Sequence, residues 1–226
     1  EATALYGSQA SSGAIVITTR KAKSNKLAVQ YDNAIRLQQL TRFPPTIDAY
    51  SPGTNNVSGL VFRYFGPQYP QGTKLYKNID AFFRNGYSQT HNLGVDFGIK
   101  KSIFRFSSTY LKQEGVVPNN NQERISLSLR NTTKIGKYIE VTPSLTYTRT
   151  NLAKVLRSSG GYLLNLLQYP NTFDVNNSGD NDGNKLPIFA SNVGGEVDNP
   201  LWNVRNNRGR DQTDRLFATL GVNINP

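Results

Sequence analysis

The sequence contains no cysteine, no methionine, one histidine and one tryptophan among its 226 residues. Without cysteine the chain can form no disulfide, no thiolate metal site and no cysteine nucleophile. A hydrolytic triad needs a histidine beside a nucleophile and an orienting acid. The single histidine, His91, stands instead among alternating apolar residues, where a packing or interfacial role is expected. The sequence therefore predicts no catalytic site, no enzyme activity and no cofactor.

Long hydrophobic runs are also lacking. The most apolar stretch, residues 162–167, is far shorter than the run of about 18 apolar residues that a membrane helix needs. Strands of a membrane barrel alternate apolar and polar residues and so keep the average hydropathy low. The absence of a long run therefore excludes a membrane helix here but leaves a membrane-spanning sheet open.

Acidic residues are outnumbered by basic ones, and the formal net charge is +11. Nucleic-acid-binding surfaces cluster their basic residues and place aromatic side chains among them to stack on bases. Here only residues 20–23 form a tight basic group, and the other arginines and lysines are scattered. We expect no nucleic-acid binding, and we assign the charge to a solvated surface or to a polar barrel interior.

From Leu27 onward the dominant period is two, which is typical of strands with one apolar face. Each alternating run has roughly the 9–11 residues that a tilted membrane strand requires. The pattern predicts an all-β chain, with one short helix at residues 161–168 inside the last long connection. The six predicted strands are residues 27–40, 90–99, 103–112, 124–132, 138–150 and 215–224.

The connections between these runs alternate between long and short. Residues 41–89 and 151–214 are long, residues 113–123 are intermediate, and two connections near Lys101 and Gly136 are short. Outer-membrane barrels show this asymmetry because periplasmic turns are short and extracellular loops are long. A soluble sandwich has no reason to place every long loop at one end. This alternation of connection lengths favours a barrel whose first strand enters from the periplasm.

The alternation also assigns the two faces of each predicted strand. An open sheet of six strands would leave two bare edges, and plugged outer-membrane transporters have about 22 strands. We therefore expect both ends of this chain to continue in a longer protein. The residues predicted to face lipid include Phe104, Phe106, Leu127, Leu145 and Leu220.

The N-terminal segment has a different pattern, which predicts a helix ended by Gly7, a turn at Gly13 and a buried strand over residues 14–19. Its sequence resembles the end of the plug domain in TonB-dependent receptors of the SusC/RagA family of Bacteroidetes. Those plug domains end in a string similar to "A-x-Y-G-S-x-A-x-x-G-x-x-x-I-T-T-K". Arg20 stands where that string has lysine. The plug-motif residues singled out by this resemblance are Tyr6, Gly7, Ser8, Gly13, Thr18 and Thr19.

Three further stretches resemble the same family. Residues 83–93 are similar to its first loop-to-strand junction, and residues 110–118 to its "Y-x-x-Q-E-G-x-x-P" segment. Residues 198–202 contain its "N-P-x-W" string. Separate matches in the right order across nearly the whole chain are more specific than any single one.

The resemblance implies that residues 1–26 are the C-terminal end of a plug domain with its linker. Residues 27–226 would then be about the first six strands of a large, about 22-stranded, antiparallel transmembrane β-barrel. It further implies TonB-dependent import of an oligosaccharide or peptide across the outer membrane of a Gram-negative bacterium. The implied partners are a SusD-like surface lipoprotein lid, outer-membrane lipid, and the TonB–ExbB–ExbD complex acting through N-terminal parts.

Two functions other than import are alternatives for this sequence. One is a SusC-like barrel that acts mainly as a structural or secretion-associated scaffold, and the other is a soluble all-β binding module such as a carbohydrate-binding sandwich. Loop parity and the plug-like N-terminus argue against the soluble module. Nothing in the sequence separates importer from scaffold.

Aromatic residues are frequent in the two long connections. Flat apolar rings can stack on sugar rings or peptide side chains, but they can equally pack the loops together. The candidate contacts to cargo or lid are Tyr64, Tyr69, Tyr162 and Trp202.

The stretch around Asp174, Asp180 and Asp182 is rich in oxygen ligands and resembles a calcium loop. The EF-hand pattern needs a glutamate six residues after its glycine. With Gly183 as that glycine, Phe189 stands at the glutamate position. This departure favours a solvated loop, with an ion as the alternative.

Overall fold

The computed structural model describes residues 26–43, 46, 48–59, 63–157, 160–186, 188–190 and 195–224. The predicted plug segment lies outside these residues, and its motif is therefore not placed. The residues concerned are Tyr6, Gly7, Ser8, Gly13, Thr18 and Thr19.

In the described part of the chain six long strands form one antiparallel sheet, and every neighbour in space is also the next long strand in sequence. This confirms the predicted all-β class and the predicted pairing of consecutive runs. Three short helices and two small hairpins lie in the connections as far as these are described. The elements are β1 (Ala28–Gln38), β2 (Gly53–Thr54), β3 (Val57–Ser58), α1 (Asn78–Phe82), β4 (Gly86–Ile99), β5 (Ser102–Glu114), β6 (Asn121–Ile135), β7 (Ile139–Val155), α2 (Tyr162–Gln168), β8 (Ile188–Ala190), β9 (Gly195–Val197), α3 (Pro200–Asn206) and β10 (Arg208–Ile224).

The strand register places the predicted apolar residues on one side of the sheet. Directly paired residues in an antiparallel sheet share a face. One such row crosses all six strands, from Val29 through Val95, Phe106, Leu129 and Leu145 to Ala218. The same pairing puts Phe104, Leu127 and Leu220 on that side. We call it the apolar face; its larger members include Val29, Tyr31, Ile35, Leu37, Leu93, Val95, Phe97, Ile99, Phe104, Phe106, Tyr110, Ile125, Leu127, Leu129, Ile135, Ile139, Val141, Leu145, Tyr147, Leu216, Leu220, Val222 and Ile224.

The opposite side, here called the polar face, carries mainly hydroxyl, glycine and charged residues. Hydroxyl groups bond across neighbouring strands, as between Ser128 and Thr146 at 3.0 Å and between Ser126 and Thr148 at 3.1 Å. The Arg105 guanidinium donates to both oxygens of Asp96, at 2.9 and 2.8 Å. Cross-strand pairs of these kinds each stabilise a sheet by a few tenths of a kcal/mol, up to about 1 kcal/mol.

Several strands are longer than the sequence pattern predicts, and most of the added length lies at the end of the long connections. β4 begins at Gly86, β7 continues to Val155, and β10 begins at Arg208. Residues 211–214 of β10 are Asp, Gln, Thr and Asp, so both faces are polar there and the alternation disappears. Backbone hydrogen bonds do not depend on this alternation, and the ladder therefore continues.

The three longer connections, residues 39–85, 115–120 and 156–207, lie at the same end of the sheet and contact one another; together they form what we call the loop cap. The cap has its own hydrophobic core, and α2 confirms the predicted helix after Gly161. No helix in the described part of the chain is long and apolar enough to cross a membrane. The buried core residues are Phe82, Val117, Val155, Tyr162, Leu166, Tyr169, Val175, Ile188, Leu201 and Val204.

Candidate functional site

Residues 83–93 and 110–118, two of the stretches that resemble the SusC/RagA family, meet at the base of the loop cap. The Arg84 backbone N–H donates to the Val116 carbonyl at 2.9 Å, and the Arg84 side chain donates to the Gly115 carbonyl at 3.2 Å. A Cβ atom at Gly86 would lie 2.7 Å from the Glu114 carbonyl oxygen, so a side chain there requires the backbone to shift. The arginine and the two glycines thus join the first long connection to the loop after β5.

The third family-like stretch supplies a fully buried asparagine that organises the cap. The Asn199 side-chain oxygen accepts from the Leu201 and Trp202 backbone N–H groups at 2.8 and 3.2 Å and caps α3. Its amide nitrogen donates to the Val175 carbonyl at 2.8 Å. Pro200 follows as the first helical residue, where its missing N–H costs nothing. The "N-P-x-W" string is therefore a helix start that holds the segment around Val175.

A second buried asparagine, which the sequence pattern did not identify, holds the same segment from the other side. The Asn78 amide donates to the Phe173 carbonyl at 2.9 Å, and its oxygen accepts from the Val175 N–H at 3.0 Å. Asn78 belongs to α1, on the first long connection, so it ties the two long connections together. A single polar residue in an aromatic-rich loop carries no periodic signal that could have found it.

A cleft of about 940 Å³ lies between the first long connection and α2. Its walls combine aromatic rings with charged and amide groups, and the Phe65 ring is 70% exposed. Rings can stack on a flat apolar ligand surface, while carboxylates and amides can bond its polar edges. The residues that define this chemistry are Asp48, Tyr50, Tyr64, Phe65, Tyr76 and Asp80.

Tyr64 and Tyr69, two of the predicted contact residues, are half-buried on the first long connection. The Tyr64 hydroxyl lies at the cleft and donates to the Tyr169 carbonyl at 2.8 Å. Burial, with smaller contributions from Tyr69 and Asp48, raises the pKa of Tyr64 well above its ordinary value, so the hydroxyl stays a donor. The pKa of Tyr69 is also raised, again by burial first and then by Asp48.

Tyr162 and Trp202, the other two predicted contacts, lie on helices of the cap. Tyr162 is 7% exposed and stacks on Phe82, with ring centroids 5.3 Å apart. Trp202 is half-buried, and the Lys185 ammonium lies 5.5 Å from its ring centroid. The four residues therefore do not form one patch: Tyr64 lines the cleft, whereas Tyr162 packs in the core. As contacts to cargo or lid they remain predictions.

The predicted oxygen-rich loop directs its carboxylates at its own backbone. The Asp180 carboxylate accepts from the Asn184 backbone N–H at 2.7 Å and from the Asn184 side chain at 3.0 Å. These bonds, the side-chain one foremost, lower the pKa of Asp180. Asp174 accepts from the Asn176 N–H in the same way, at 2.9 Å. Within the described residues no three acidic or histidine side chains gather around a point, and the solvated loop at Asp174, Asp180 and Asp182 stays the prediction, with an ion as the alternative.

No family model matches the chain. Three curated proteins are similar to it. TonB-dependent receptor P3 of Formosa agariphila is 29% identical over 126 residues, which is 56% of this chain and 12% of that protein. TonB-dependent receptor SusC of Bacteroides thetaiotaomicron is 29% identical over 133 residues, 57% of this chain and 13% of that protein. TonB-dependent receptor P39 of Formosa agariphila is 27% identical over 154 residues, 64% of this chain and 14% of that protein.

The matched region thus covers only 12–14% of the length of these relatives. The chain itself contains an antiparallel sheet with one apolar face, as the sequence predicted. The three similarities and the β-sheet fold together confirm the predicted resemblance of this chain to SusC-like TonB-dependent receptors.

Proposed function

We propose that this chain forms part of the wall of an outer-membrane importer driven by TonB, with residues 1–26 as the end of its plug and residues 27–226 as its first strands. In this proposal the protein is the SusC-like channel of a two-component complex and performs no covalent chemistry. Its cargo is an oligosaccharide or peptide too large for a porin.

The apolar face carries the proposal. Leu129 and Leu145 on inner strands of the sheet are each 45% exposed, and Leu37 and Leu220 on the two edge strands are 84% and 70% exposed. Monomeric soluble proteins rarely expose an apolar patch larger than a few hundred Å². A bilayer covers such a surface without further protein, while the ladder satisfies the backbone groups within the sheet.

The height of the apolar band fits this environment. On β7 the apolar face is free of charge from Ile139 to Tyr147, and the next residue on that face is Arg149. At about 3.3 Å per residue this band is about 26 Å along the strand. A tilt of about 40° reduces it to about 20 Å, comparable to the apolar band of about 25 Å on outer-membrane barrels. Tyr110 and Tyr147 lie near its upper limit, where barrels place aromatic girdles.

The polar face supports a wet or plugged interior. Its hydroxyl pairs and the Arg105–Asp96 ion pair would be costly against hydrocarbon but are suited to water or to a polar plug surface. This arrangement supports the assignment of residues 1–26 to a plug inside the barrel.

The loop cap supports a binding role on the extracellular side. All three longer connections meet there, and the cleft beside Tyr64 combines stacking surfaces with polar groups. We assign this surface to contacts with a SusD-like lipoprotein lid or with cargo. Tyr69, Tyr162 and Trp202 belong to the same proposal as further members of the cap.

Uptake by cells that carry the whole receptor tests the function. Labelled oligosaccharide or peptide pools should enter cells with the receptor and TonB, and uptake should be lost when either is deleted. A porin-permeable monosaccharide serves as the control and should enter all strains equally. Shortening either long connection should weaken lid binding to the purified receptor, while the barrel still inserts.

The scaffold alternative predicts a different result. If the protein mainly scaffolds an outer-membrane complex, deleting TonB leaves its activity unchanged, and deleting the receptor removes its partners from the membrane fraction. That pair of outcomes would reject the importer.

A further inference from the structure

The end of the sheet opposite the loop cap carries a dense group of lysines. One short turn, between β4 and β5, consists of Lys100 and Lys101. The other joins β6 to β7 and is flanked or occupied by Lys134 and Lys137. The Lys134 backbone N–H donates to the Lys101 carbonyl at 3.1 Å, so the two turns lie side by side. Lys134 pairs with Glu140 and so lies on the polar face, and we call the other three lysines, Lys100, Lys101 and Lys137, the short-turn patch.

The short-turn patch has little acidic charge near it. Residues 97–104 and 132–141 contain these three lysines, Lys134 and one acidic residue, Glu140. Lys101 and Lys137 form no salt bridge with any described residue. Net positive charge is therefore concentrated at this end.

The cap end of the sheet is arranged differently. There Arg84 and Lys112 pair with Glu114, Arg149 pairs with Asp214, and Lys154 pairs with Asp211. Several basic residues at the cap end thus have acidic partners within the chain, whereas Lys101 and Lys137 at the short-turn end form no salt bridge with a described residue.

The patch also borders an apolar groove. A depression of about 470 Å³ is lined by Ile99, Ser102 and Phe104 together with Lys100 and Lys101. Ile99, Ser102 and Phe104 all lie on the apolar face by their register. Ile99 is 60% exposed. A molecule in this groove would contact apolar side chains along its length and lysine ammonium groups at the end next to the short turn.

We propose that the short-turn patch binds the phosphate of an anionic phospholipid, with an acyl chain lying along Ile99 and Phe104. Ammonium groups act as point charges for phosphate, and lysine stems can lie on apolar surface while the charge stays at the headgroup level. The inference rests on the proposed membrane function, because the groove continues the face that the bilayer is proposed to cover.

The geometry favours a lipid over an acidic soluble protein. A protein docked on the lysines alone would leave Ile99 and Phe104 uncovered, or would have to enter the apolar band to cover them. A phospholipid brings the anionic group and the apolar chain in one molecule. A phospholipid therefore matches the patch in charge and the groove in shape.

The test uses the whole receptor reconstituted in nanodiscs of phosphatidylethanolamine alone or mixed with phosphatidylglycerol. The test variant replaces Lys100, Lys101 and Lys137 with Gln. The matched control replaces three exposed lysines of the cap end, Lys74, Lys77 and Lys154, with Gln. Retained lipids are counted by native mass spectrometry after release from the disc.

We expect the wild-type receptor and the control variant to retain phosphatidylglycerol in preference to phosphatidylethanolamine. The test variant should bind phosphatidylglycerol at least about tenfold more weakly, since each lysine near an anionic surface contributes appreciably. Added salt should reduce the difference by screening.

Equal retention of phosphatidylglycerol by the wild type and the test variant would overturn the inference. Insertion into both bilayers without a lipid preference would reject the lipid site alone and leave the proposed function standing. Failure of the wild-type receptor to insert into either bilayer would reject both. Binding of an acidic protein, but not of phosphatidylglycerol, to the patch would also reject the lipid.

Discussion

The sheet and the loop cap distribute their apolar residues in opposite ways. In the sheet, Leu220 and Ile35 are 70% and 65% exposed, whereas in the cap Phe82 is 1% exposed and Val204 is fully buried. The cap has the core of a small soluble domain, and among the described residues of the six long strands only Val155 belongs to that core. The cap can therefore be stabilised by burial within the chain, while the apolar face needs a cover from outside it.

The sheet and the loop cap are also stabilised by different interactions. The sheet is held by a continuous backbone ladder and by cross-strand pairs on its polar face. The cap is held by aromatic packing and by buried asparagines that bond loop carbonyls. Substitutions should therefore affect one region and leave the other largely intact.

The largest effect is expected from removing a ring in the cap core. Phe82→Ala deletes a side chain that stacks on Tyr162 at 5.3 Å and meets Phe83 edge-on at 5.0 Å. It should destabilise the cap by about 3–5 kcal/mol. Phe65→Ala, in the same connection but 70% exposed, should cost about 0.5 kcal/mol or less. Hydrogen exchange of residues 162–177 in the whole receptor measures both.

A charge placed on the apolar face tests the other region. Leu145→Arg should destabilise the receptor in lipid vesicles by about 2–4 kcal/mol, because the charge would lie in hydrocarbon. Thr146→Arg places the same charge one residue away on the polar face and should cost much less. Urea unfolding of the vesicle-bound receptor gives both free energies. Equal losses for the two variants would contradict the assignment of the faces.

Loss of the buried asparagine at the start of α3 should have an intermediate effect. Asn199→Ala removes the helix cap and leaves the Val175 carbonyl without its donor. We expect the cap to lose about 1–3 kcal/mol. Asn206→Ala, at the exposed end of the same helix, is the matched control. Proteolysis of the folded receptor should show faster cutting within residues 169–207 in the first variant only.

The smallest effect is expected at the cleft. Tyr64→Phe removes the hydroxyl that donates to the Tyr169 carbonyl and should cost about 0.5–1.5 kcal/mol. Tyr50→Phe, at an exposed tyrosine of the same cleft, should cost less. Hydrogen exchange around residue 169 compares the two variants.

Tyr64 should also make the stability of the loop cap depend on pH. The pKa of Tyr64 is raised above the ordinary tyrosine value of 10.0, mainly by burial. The neutral hydroxyl is therefore favoured in the folded cap, and the stability present below about pH 10 is lost as the pH rises further. In Tyr64→Phe this alkaline loss should be smaller. An unchanged alkaline loss would show that the buried hydroxyl of Tyr64 does not carry it.

The positions of the short turns could be predicted because the alternation is strongest where one face is apolar. The β4–β5 turn at Lys100 and Lys101 lies where the sequence placed it. The far ends of β7 and β10 could not be predicted in this way, since their last residues are polar on both faces and the pairing there is purely a backbone property.

The candidate site was predictable only in part. Aromatic residues marked the two long connections as binding surfaces, and the helix after Gly161 was recognised from its local pattern. The stacking of Phe82 on Tyr162 and the bonds of Asn78 to the segment at Val175 join residues far apart in the chain. No local pattern contains such pairs.

The sequence by itself determined the period-two backbone, the identity of the two faces and the order of the six strands, because strand alternation and short connections are local properties. Only the tertiary structure decided which loop residues are buried. Tyr162 became part of a core, and Tyr64 became a donor at the edge of a cleft, because three connections meet above the sheet. Burial depends on what lies across the fold, and a residue's neighbours in sequence do not specify that.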